Sequence, residues 1–481
     1  MGQGPAHHAG EDPQGLTRAA AGAPDGRRVV NAGATNSHQI AAAAACLACD
    51  EPLEGNYFVS TYPPFSAWTR AALPEVHRLL QAPAAARQDE PLGLYVHVPF
   101  CVKRCDYCYY LSYADKSAAD IDAYVDAVLA EAQLYRRTAA LAERTPTFVY
   151  FGGGTPSLLS AREIERLLRG LQHVFPWARV QEATFECAPQ SVTQAKLRRL
   201  RELGVTRISL GVQELDDDVL RLNGRVHLVR HVERAWEAIR RVGFDVVNLD
   251  LIVGLVGQTE ATFSRSLDRV IGMQPECVTI YQLEIPLNTP LYRALHAGAL
   301  PQAPANWDIK RARLGRGLAA LEQAGYTVRS AYAAVRDPRR HRFVYQDEQY
   351  RGADLLGIGV ASFSYLAGLH FQNVTALDAY LTLVRQGQFP LGRAYALTDD
   401  ERLTREFVLQ LKLGVADAAY FHASFGTDIS QRFAEPLREL TQRGWLTVDA
   451  GGVRTTREGL LRVDRLLSAF YPAHHRGIRY T

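Results

Sequence analysis

The sequence lacks the features that mark a membrane, secreted or nucleic-acid-binding protein. No apolar run reaches the roughly 18 residues that a transmembrane helix needs. The Ala-rich stretch at 40–48 is short and follows a polar leader, which is not typical of a secretory signal. The formal net charge is only +3 over 481 residues, so no basic surface for nucleic acid is indicated. We therefore expect a cytoplasmic, globular protein with no membrane or nucleic-acid partner.

Cysteine is scarce and unevenly placed. The seven cysteines are an odd number in a long chain, which argues against a disulfide framework. Cys187 and Cys277 lie on predicted strands and are expected to pack as small apolar groups. Cys46 and Cys49 are interpreted as ordinary residues of a leader rather than a second metal site. The remaining three crowd into one short segment, where metal or redox chemistry is the better interpretation: Cys101, Cys105 and Cys108.

Strand-like and helix-like segments alternate through the middle of the chain. Short loops between them predict a parallel sheet covered by helices. The strands are apolar on both faces, as buried parallel strands must be. A full or partial (β/α) barrel fits best, with its chemistry at the C-terminal ends of the strands. Six strands are predicted, at 94–98, 147–154, 183–187, 206–213, 246–255 and 277–284.

The pattern changes beyond Leu291. A helix at 434–444, strands at 446–449 and 453–456, and a helix at 457–470 favour a small winged-helix-like C-terminal domain. His474 and His475, which follow it, are expected to be solvated. The sequence thus predicts five regions: a disordered leader (1–50), an N-terminal extension (51–90), a barrel (91–300), a barrel extension (301–395) and a C-terminal domain (396–481).

The cysteine segment has the spacing C-x3-C-x2-C in the loop after the first strand. Three thiolates on a short loop can hold three irons of a [4Fe–4S] cluster. No fourth cysteine lies nearby, so one iron would stay open for chemistry. A structural zinc site is the alternative, but such sites usually use paired C-x2-C spacings and a fourth ligand.

This motif and its setting resemble the radical S-adenosylmethionine (SAM) superfamily. Within it, YVHVPFC-x3-C-x-YC resembles the family of oxygen-independent coproporphyrinogen III oxidase, HemN. The resemblance runs from about Asn56 to the C-terminus through VYFGGGTPSLL, TFECAPQSV, RISLGVQEL, NGRVH, NLDLIVGLVGQT and LLGIGVASFSYL. It implies a partial (β/α)6 barrel with a HemN-type C-terminal domain. It also implies a [4Fe–4S] cluster on Cys101, Cys105 and Cys108, with SAM at the open iron.

The resemblance further implies which residues contact SAM. The Gly-rich turn would bind the methionyl amino group, and Arg225 would meet a carboxylate. Asp250 would meet ribose hydroxyls or an amino group, and a second SAM would lie near Ile252 and the strand end Tyr281-Gln282. For any one of these residues, a buried cap or salt bridge is the alternative role. The full set is Tyr95, Tyr107, Gly153, Gly154, Thr155, Glu186, Gln213, Arg225, Asp250, Ile252 and Gln282.

Three functions compete within this resemblance: two are enzymatic and begin with a 5′-deoxyadenosyl radical made from SAM, and the third is not enzymatic. We favour the class C methyltransferases and cyclopropanases of natural-product biosynthesis. In these the radical takes hydrogen from the methyl of a second SAM, and the methylene radical adds to an sp2 carbon. Porphyrinogen decarboxylation comes second, because Tyr109-Tyr110 stand where HemN itself carries Gly-Cys. Haem binding, as in the chaperone HemW, comes third, because VSTYPPFSAW resembles the N-terminal extension of HemN-type enzymes.

The favoured activity also implies partners. The substrate would be an unsaturated or aromatic small molecule lying against Tyr109, Tyr110 and Tyr113. An electron donor such as flavodoxin or ferredoxin would reduce the cluster. For cyclopropanation, a methyltransferase-like cyclase would act as a partner enzyme.

Overall fold

A computed structural model gives the architecture, and it describes residues 58–83 and 90–476. These residues belong to one unit, Pro52–Thr481. The predicted leader, with Cys46 and Cys49, lies outside the described residues. Among the helices that the structure describes, none is long and apolar enough to cross a bilayer.

A twelve-stranded sheet forms the body of this unit, in the order β12-β11-β10-β9-β1-β2-β3-β4-β5-β6-β8-β7. The central strands from β9 to β6 all run parallel, and antiparallel strands flank them. The order is linear, so the barrel is partial, as the sequence predicted. The strands are β1 (Leu92–Val98), β2 (Phe148–Gly153), β3 (Glu182–Cys187), β4 (Arg207–Gln213), β5 (Val246–Val253), β6 (Cys277–Gln282), β7 (Thr327–Val328), β8 (Ala333–Val335), β9 (Asp354–Ile358), β10 (Phe363–Leu366), β11 (Leu369–Asn373) and β12 (Leu391–Ala396).

Helices connect the parallel strands and cover the sheet, because parallel neighbours need long crossovers. Capping boxes set where two of them begin: Ser117 pairs with Asp120, and Ser160 pairs with Glu163. The helices are α1 (Leu73–Gln81), α2 (Ala118–Arg136), α3 (Ala161–Val174), α4 (Gln194–Glu202), α5 (Asp217–Leu222), α6 (Val229–Val242), α7 (Glu260–Met273), α8 (Pro290–His296), α9 (Trp307–Gln323), α10 (Val344–Gln349), α11 (Leu377–Arg385), α12 (Asp399–Leu411), α13 (Ala418–Phe425), α14 (Ile429–Arg432), α15 (Ala434–Gln442), α16 (Arg457–Leu461) and α17 (Val463–Leu466).

A seventh parallel strand, β9, lies on the free side of β1, where Leu356 pairs with Leu94. No strand was predicted here, and the region was named only within the motif LLGIGVASFSYL. The strand is five residues long and fully buried, so it shows no alternation that would distinguish it. Gly357 is needed within it, because a Cβ there would lie 2.2 Å from the carbonyl oxygen of Phe363. The tight β9–β10 connection therefore explains the glycine.

The C-terminal helices surround a small three-stranded sheet of β13 (Val415–Asp417), β15 (Gly452–Thr455) and β14 (Leu446–Asp449), in that order. Phe407 of α12 lies in its core, stacked on Phe433 with 4.4 Å between ring centroids. This is the winged-helix-like arrangement that the sequence predicted. The single helix expected at 457–470 is wrong, because the chain leaves helical geometry at Arg462, where φ is −121°.

The segment upstream of the barrel, residues 58–83 (the upstream segment), packs along the sheet and reaches the C-terminal helices. Thr69 pairs with Ala394 of β12, and Trp68 stacks on His370 with 4.7 Å between centroids. At the start of the segment, Val59 N donates to Asp464 at 2.9 Å. The fully buried Lys412 ammonium donates to the same carboxylate at 2.9 Å and also to the Val59 carbonyl oxygen. The Val59 backbone thus links the upstream segment to both members of an ion pair in the C-terminal helices.

The two histidines near the end of the chain differ from expectation. His474 is exposed, as predicted, whereas His475 is only 3% exposed. Its Nδ1 lies 2.8 Å from the hydroxyl of Tyr62, a residue of the upstream segment. The prediction of solvated histidines failed because this partner is remote in sequence.

The Lys412–Asp464 pair makes a stability prediction. Lys412→Met should lower the free energy of unfolding by about 3–5 kcal/mol, because it leaves a mostly buried carboxylate without its cation. The measurement is the urea unfolding midpoint of the cluster-free protein. Arg241→Met is the matched control, since it breaks an exposed ion pair with Glu237. Equal shifts for the two variants would contradict the prediction.

Candidate active site

The cysteine loop leaves β1 at its C-terminal end and is held by its own backbone. Cys101 N donates to Tyr113 O at 3.0 Å, which closes the loop. Within it, Cys108 N donates to Cys105 O at 3.2 Å, and the Arg104 guanidinium donates to Cys108 O at 2.7 Å. All three thiols are half-buried rather than packed into the core. The loop therefore presents them at the mouth of the barrel.

The glycine-rich turn after β2 fixes the start of this loop. Gly154 N donates to Val98 O at 2.9 Å, and Thr155 N donates to Phe100 O at 2.8 Å. A Cβ on Gly154 would lie 2.8 Å from Val98 O and 2.9 Å from Phe100 O. Only glycine allows this approach. The turn also brings the Thr155 hydroxyl to 3.4 Å from Cys101 Sγ.

Arg225 connects the loop to β4. One guanidinium nitrogen donates to Cys105 Sγ at 3.1 Å and the other to Gly211 O at 2.9 Å. His227 lies 3.1 Å from the second nitrogen. Burial lowers the pKa of His227 to about 3, so its neutral ring can accept that hydrogen bond. Burial raises the pKa of the Cys108 thiol to about 11, and the nearby Arg104 cation opposes this rise. Burial likewise raises the pKa of Cys101, and the Arg225 cation opposes it there, so the two arginines favour thiolates in the loop.

Two carboxyl groups lie on β3 and β5, the strands on either side of β4. Glu186 accepts a hydrogen bond from the Tyr150 hydroxyl at 2.6 Å. Asp250 accepts from Ser209 at 3.0 Å and from Asn248 at 2.8 Å. Burial raises the pKa of Glu186 to about 7 and that of Asp250 to about 6. Both groups therefore titrate close to neutrality, and a cationic ligand would hold them ionised.

The burial pattern of the strands indicates a shared accessible space. Tyr95 is the one residue of β1 that is not fully buried. Likewise, Glu186 is the one residue of β3, and Asp250 the one residue of β5, that is not fully buried. The structure thus brings these three predicted SAM contacts onto the inner side of the sheet, beside the cysteine loop.

The other predicted contacts line the same region. Gly153 has φ 108°, and a Cβ there would lie 2.5 Å from the His97 ring. Gln213 ends β4 with φ 66°, and its buried Oε1 has no hydrogen-bond partner among the described residues. Ile252 is 8% exposed in a small apolar cluster, and Tyr107 packs against that cluster.

Gln282 is placed apart from this group. Its amide donates to the carbonyl oxygen of Leu461 at 3.3 Å, on the side of the C-terminal helices. Side chains alternate along a strand, and Thr279, which donates to Asn248 at 2.8 Å, marks the inner face of β6. Tyr281 lies on that inner face and is 38% exposed. The alternation was the signal by which the sequence could have selected Tyr281 rather than Gln282 as the contact residue at this strand end.

The residues present fit a cluster better than a single metal ion. Three thiolates bound to one zinc at about 2.3 Å would lie about 4 Å apart. Cys101, Cys105 and Cys108 do not form such a group, since their three sulfur atoms do not all lie within 4.8 Å of one another. A cluster, with several irons between the sulfurs, suits this wider spacing. The unpaired Gln213 oxygen and the half-buried carboxyls likewise suit a polar, cationic ligand beside it.

The contact at Gly154 makes a direct prediction. Gly154→Ala should displace the cysteine loop, because the new Cβ would meet two backbone oxygens. After anaerobic reconstitution, this variant should lose most of its iron–sulfur absorbance near 400 nm. Gly272→Ala is the control, since a Cβ there meets nothing within 4 Å. Full cluster loading of both variants would refute the role of the turn.

Comparison with known families agrees with this geometry. The radical SAM superfamily matches residues 95–270, and the HemN C-terminal domain matches residues 397–462. The chain is 29% identical over 403 residues to the oxygen-independent coproporphyrinogen III oxidase of Escherichia coli (strain K12), covering 80% of this chain and 87% of that relative. It is 27% identical over 381 residues to the heme chaperone HemW of Bacillus subtilis (strain 168), covering 78% and 98%.

Among solved structures, the coproporphyrinogen III oxidase HemN from Escherichia coli aligns with a TM-score of 0.74 at 26% identity. The alignment covers 86% of this chain and 96% of that structure. These relatives overturn the class C methyltransferase and cyclopropanase prediction, which was wrong, because they are named as oxidases and a chaperone. The partner cyclase and the natural-product substrate are withdrawn with it. The chain thus resembles HemN in joining a radical SAM barrel to a HemN C-terminal domain.

Proposed function

We propose that this chain is a radical SAM enzyme that oxidatively decarboxylates propionate side chains of a porphyrinogen. The observation that carries the proposal is the alignment with the Escherichia coli oxidase structure, which spans 96% of that enzyme. The upstream segment supports it further. Its motif VSTYPPFSAW resembles the N-terminal extension of HemN-type enzymes. In this structure it packs against both the sheet and the C-terminal helices.

The cysteine loop would hold the cluster, and the barrel would hold SAM. When bound, the cluster supplies the electron that cleaves SAM into methionine and a 5′-deoxyadenosyl radical. The side chains of Cys101, Cys105 and Cys108 would be its ligands, with Arg225 stabilising the Cys105 thiolate. Glu186 would accept hydrogen bonds from the SAM amino group, and Asp250 from the ribose hydroxyls.

Aromatic side chains would shape the substrate side of the site. Tyr281 stacks on Tyr332 with 5.9 Å between centroids, and Phe58 of the upstream segment packs on both. Tyr109 and Tyr110 stack on each other at 4.5 Å, and Tyr110 is 47% exposed. Flat apolar faces suit a tetrapyrrole ring and exclude water from a radical.

Haem binding is the second candidate, because the match to HemW covers 98% of that chaperone. The Tyr109-Tyr110 pair, in place of the Gly-Cys pair of HemN, also separates this chain from the oxidases. The upstream segment favours the oxidase. Two finer expectations stay predictions: a second SAM near Ile252, and a flavodoxin or ferredoxin as electron donor.

Turnover of coproporphyrinogen III by the reduced, reconstituted protein tests the proposal. The substrate radical loses CO2 and one electron to become a vinyl group, so the assay contains an added one-electron acceptor. We expect CO2, a vinyl-bearing product and 5′-deoxyadenosine, and none of these from Cys105→Ala. Deuterium on the substrate propionates should appear in 5′-deoxyadenosine, whereas CD3-labelled SAM should transfer none. Stoichiometric haem binding, with no decarboxylation of coproporphyrinogen III, would overturn the enzyme proposal in favour of the chaperone.

The raised pKa of Glu186 predicts a pH dependence of SAM binding. The ionised carboxylate binds the cationic amino group, and with a pKa of about 7 it is mostly protonated at pH 6. The Kd for SAM should therefore fall about tenfold between pH 6 and pH 8. Anaerobic calorimetry measures it. Glu186→Gln should bind more weakly and lose most of this dependence, and the exposed control Glu202→Gln should keep it. A pH-independent Kd in the wild type would refute the role of Glu186.

A further inference from the structure

Far along the chain from the cysteine loop, three potential metal ligands meet. Glu401, His474 and His475 each place one ligand atom within 4.8 Å of the others. It is the one such group in the part of the chain that the structure describes. Glu401 is 8% and His475 is 3% exposed, whereas His474 is exposed. The group is therefore anchored by two buried side chains and open on one side.

The two buried ligands are oriented by further hydrogen bonds. The Tyr62 hydroxyl lies 2.8 Å from His475 Nδ1, which leaves Nε2 facing Glu401 Oε1 at 3.9 Å. The Tyr395 hydroxyl donates to the same Glu401 oxygen at 2.6 Å. Partners of this kind fix ring and carboxylate orientation at metal sites. Two ligand atoms each at about 2.0–2.2 Å from one ion can be 3.9 Å apart.

A hydrogen-bonded ion pair does not account for the arrangement. His475 Nε2 lies 3.9 Å from Glu401 Oε1, which is beyond hydrogen-bond distance, and that oxygen already accepts a hydrogen bond from the Tyr395 hydroxyl. A third potential ligand atom, from His474, lies within 4.8 Å of both.

We propose that Glu401, His474 and His475 form a binding site for a divalent transition-metal ion, with Zn2+ as the reference ligand. Two imidazoles and one carboxylate select zinc-like ions over magnesium or calcium. Three protein ligands leave one position for water, on the exposed side of His474. The site is independent of the cluster and of the proposed decarboxylation.

The ion would tie together three segments that are remote in sequence. Glu401 lies in the first turn of α12, the histidines lie in the 3-10 turn Ala473–His475, and Tyr62 belongs to the upstream segment. Metal bound at this point would strengthen the docking of the upstream segment on the C-terminal helices. Zinc should therefore raise the thermal unfolding temperature of the protein.

Zinc analysis of the tag-free, full-length protein with its cluster loaded tests the site. Loading the cluster first keeps the thiols from binding zinc. After dialysis against buffered Zn2+, His474→Ala and Glu401→Gln should each contain about one zinc ion less than the wild type. His422→Ala, which removes an exposed histidine elsewhere, should contain as much as the wild type. Gln still caps a helix, so Glu401→Gln should leave the fold intact.

Two further measurements separate this site from other zinc binding. The zinc X-ray absorption spectrum should show nitrogen and oxygen neighbours at about 2.0–2.1 Å and no sulfur at about 2.3 Å. Tyr62→Phe should weaken zinc binding about 10–100-fold, because His475 loses its orienting partner. Equal zinc content in wild type, His474→Ala and Glu401→Gln, or sulfur in the first coordination shell, would overturn the proposal.

Discussion

The backbone hydrogen bonds between the Gly154-Thr155 turn and the end of β1 are the constraint on which the site depends. They place the cysteine loop directly above the open end of a parallel sheet. Because parallel strands end at one edge, the same edge also receives Glu186, Gln213 and Asp250. Neither group of residues could serve a shared ligand without this junction, and the absence of a side chain at Gly154 makes the junction possible.

Local signals carried most of the fold and the site. The apolar strands and their helices were predictable from pattern, and the cysteine spacing was specific enough to indicate a cluster. The features that the sequence did not predict depend mainly on contacts between residues that are remote in sequence. Strand β9 is defined by pairing with β1 rather than by its own sequence. His475 is buried by Tyr62 from the other end of the described chain. Gln282 was taken from the family resemblance, although the alternation along β6 turns its amide outward.

The error about activity has a different physical origin. The residues shared across the resemblance are those predicted to bind a cluster and SAM, so they would determine how a radical is made. They do not determine which molecule loses hydrogen, because that choice depends on the surface facing the radical. In the proposed site that surface would come from Tyr109, Tyr110, Tyr281 and the upstream Phe58, which form two pairs of packed rings. A departure at Tyr109-Tyr110 was weighted too heavily against relatives that match along most of their length.

The upstream segment and the C-terminal helices are joined by shared contacts and act as one structural unit. The buried Lys412 holds Val59 and Asp464 together, and its ammonium also lies 4.0 Å from the Phe58 ring. Phe58 in turn packs on Tyr281, whose strand contributes to the barrel mouth. Burying a cation so deeply is costly unless its partners are fixed. The positions of Phe58 and Tyr281 beside the site therefore depend on the C-terminal helices, although those helices carry none of the predicted cluster or SAM ligands.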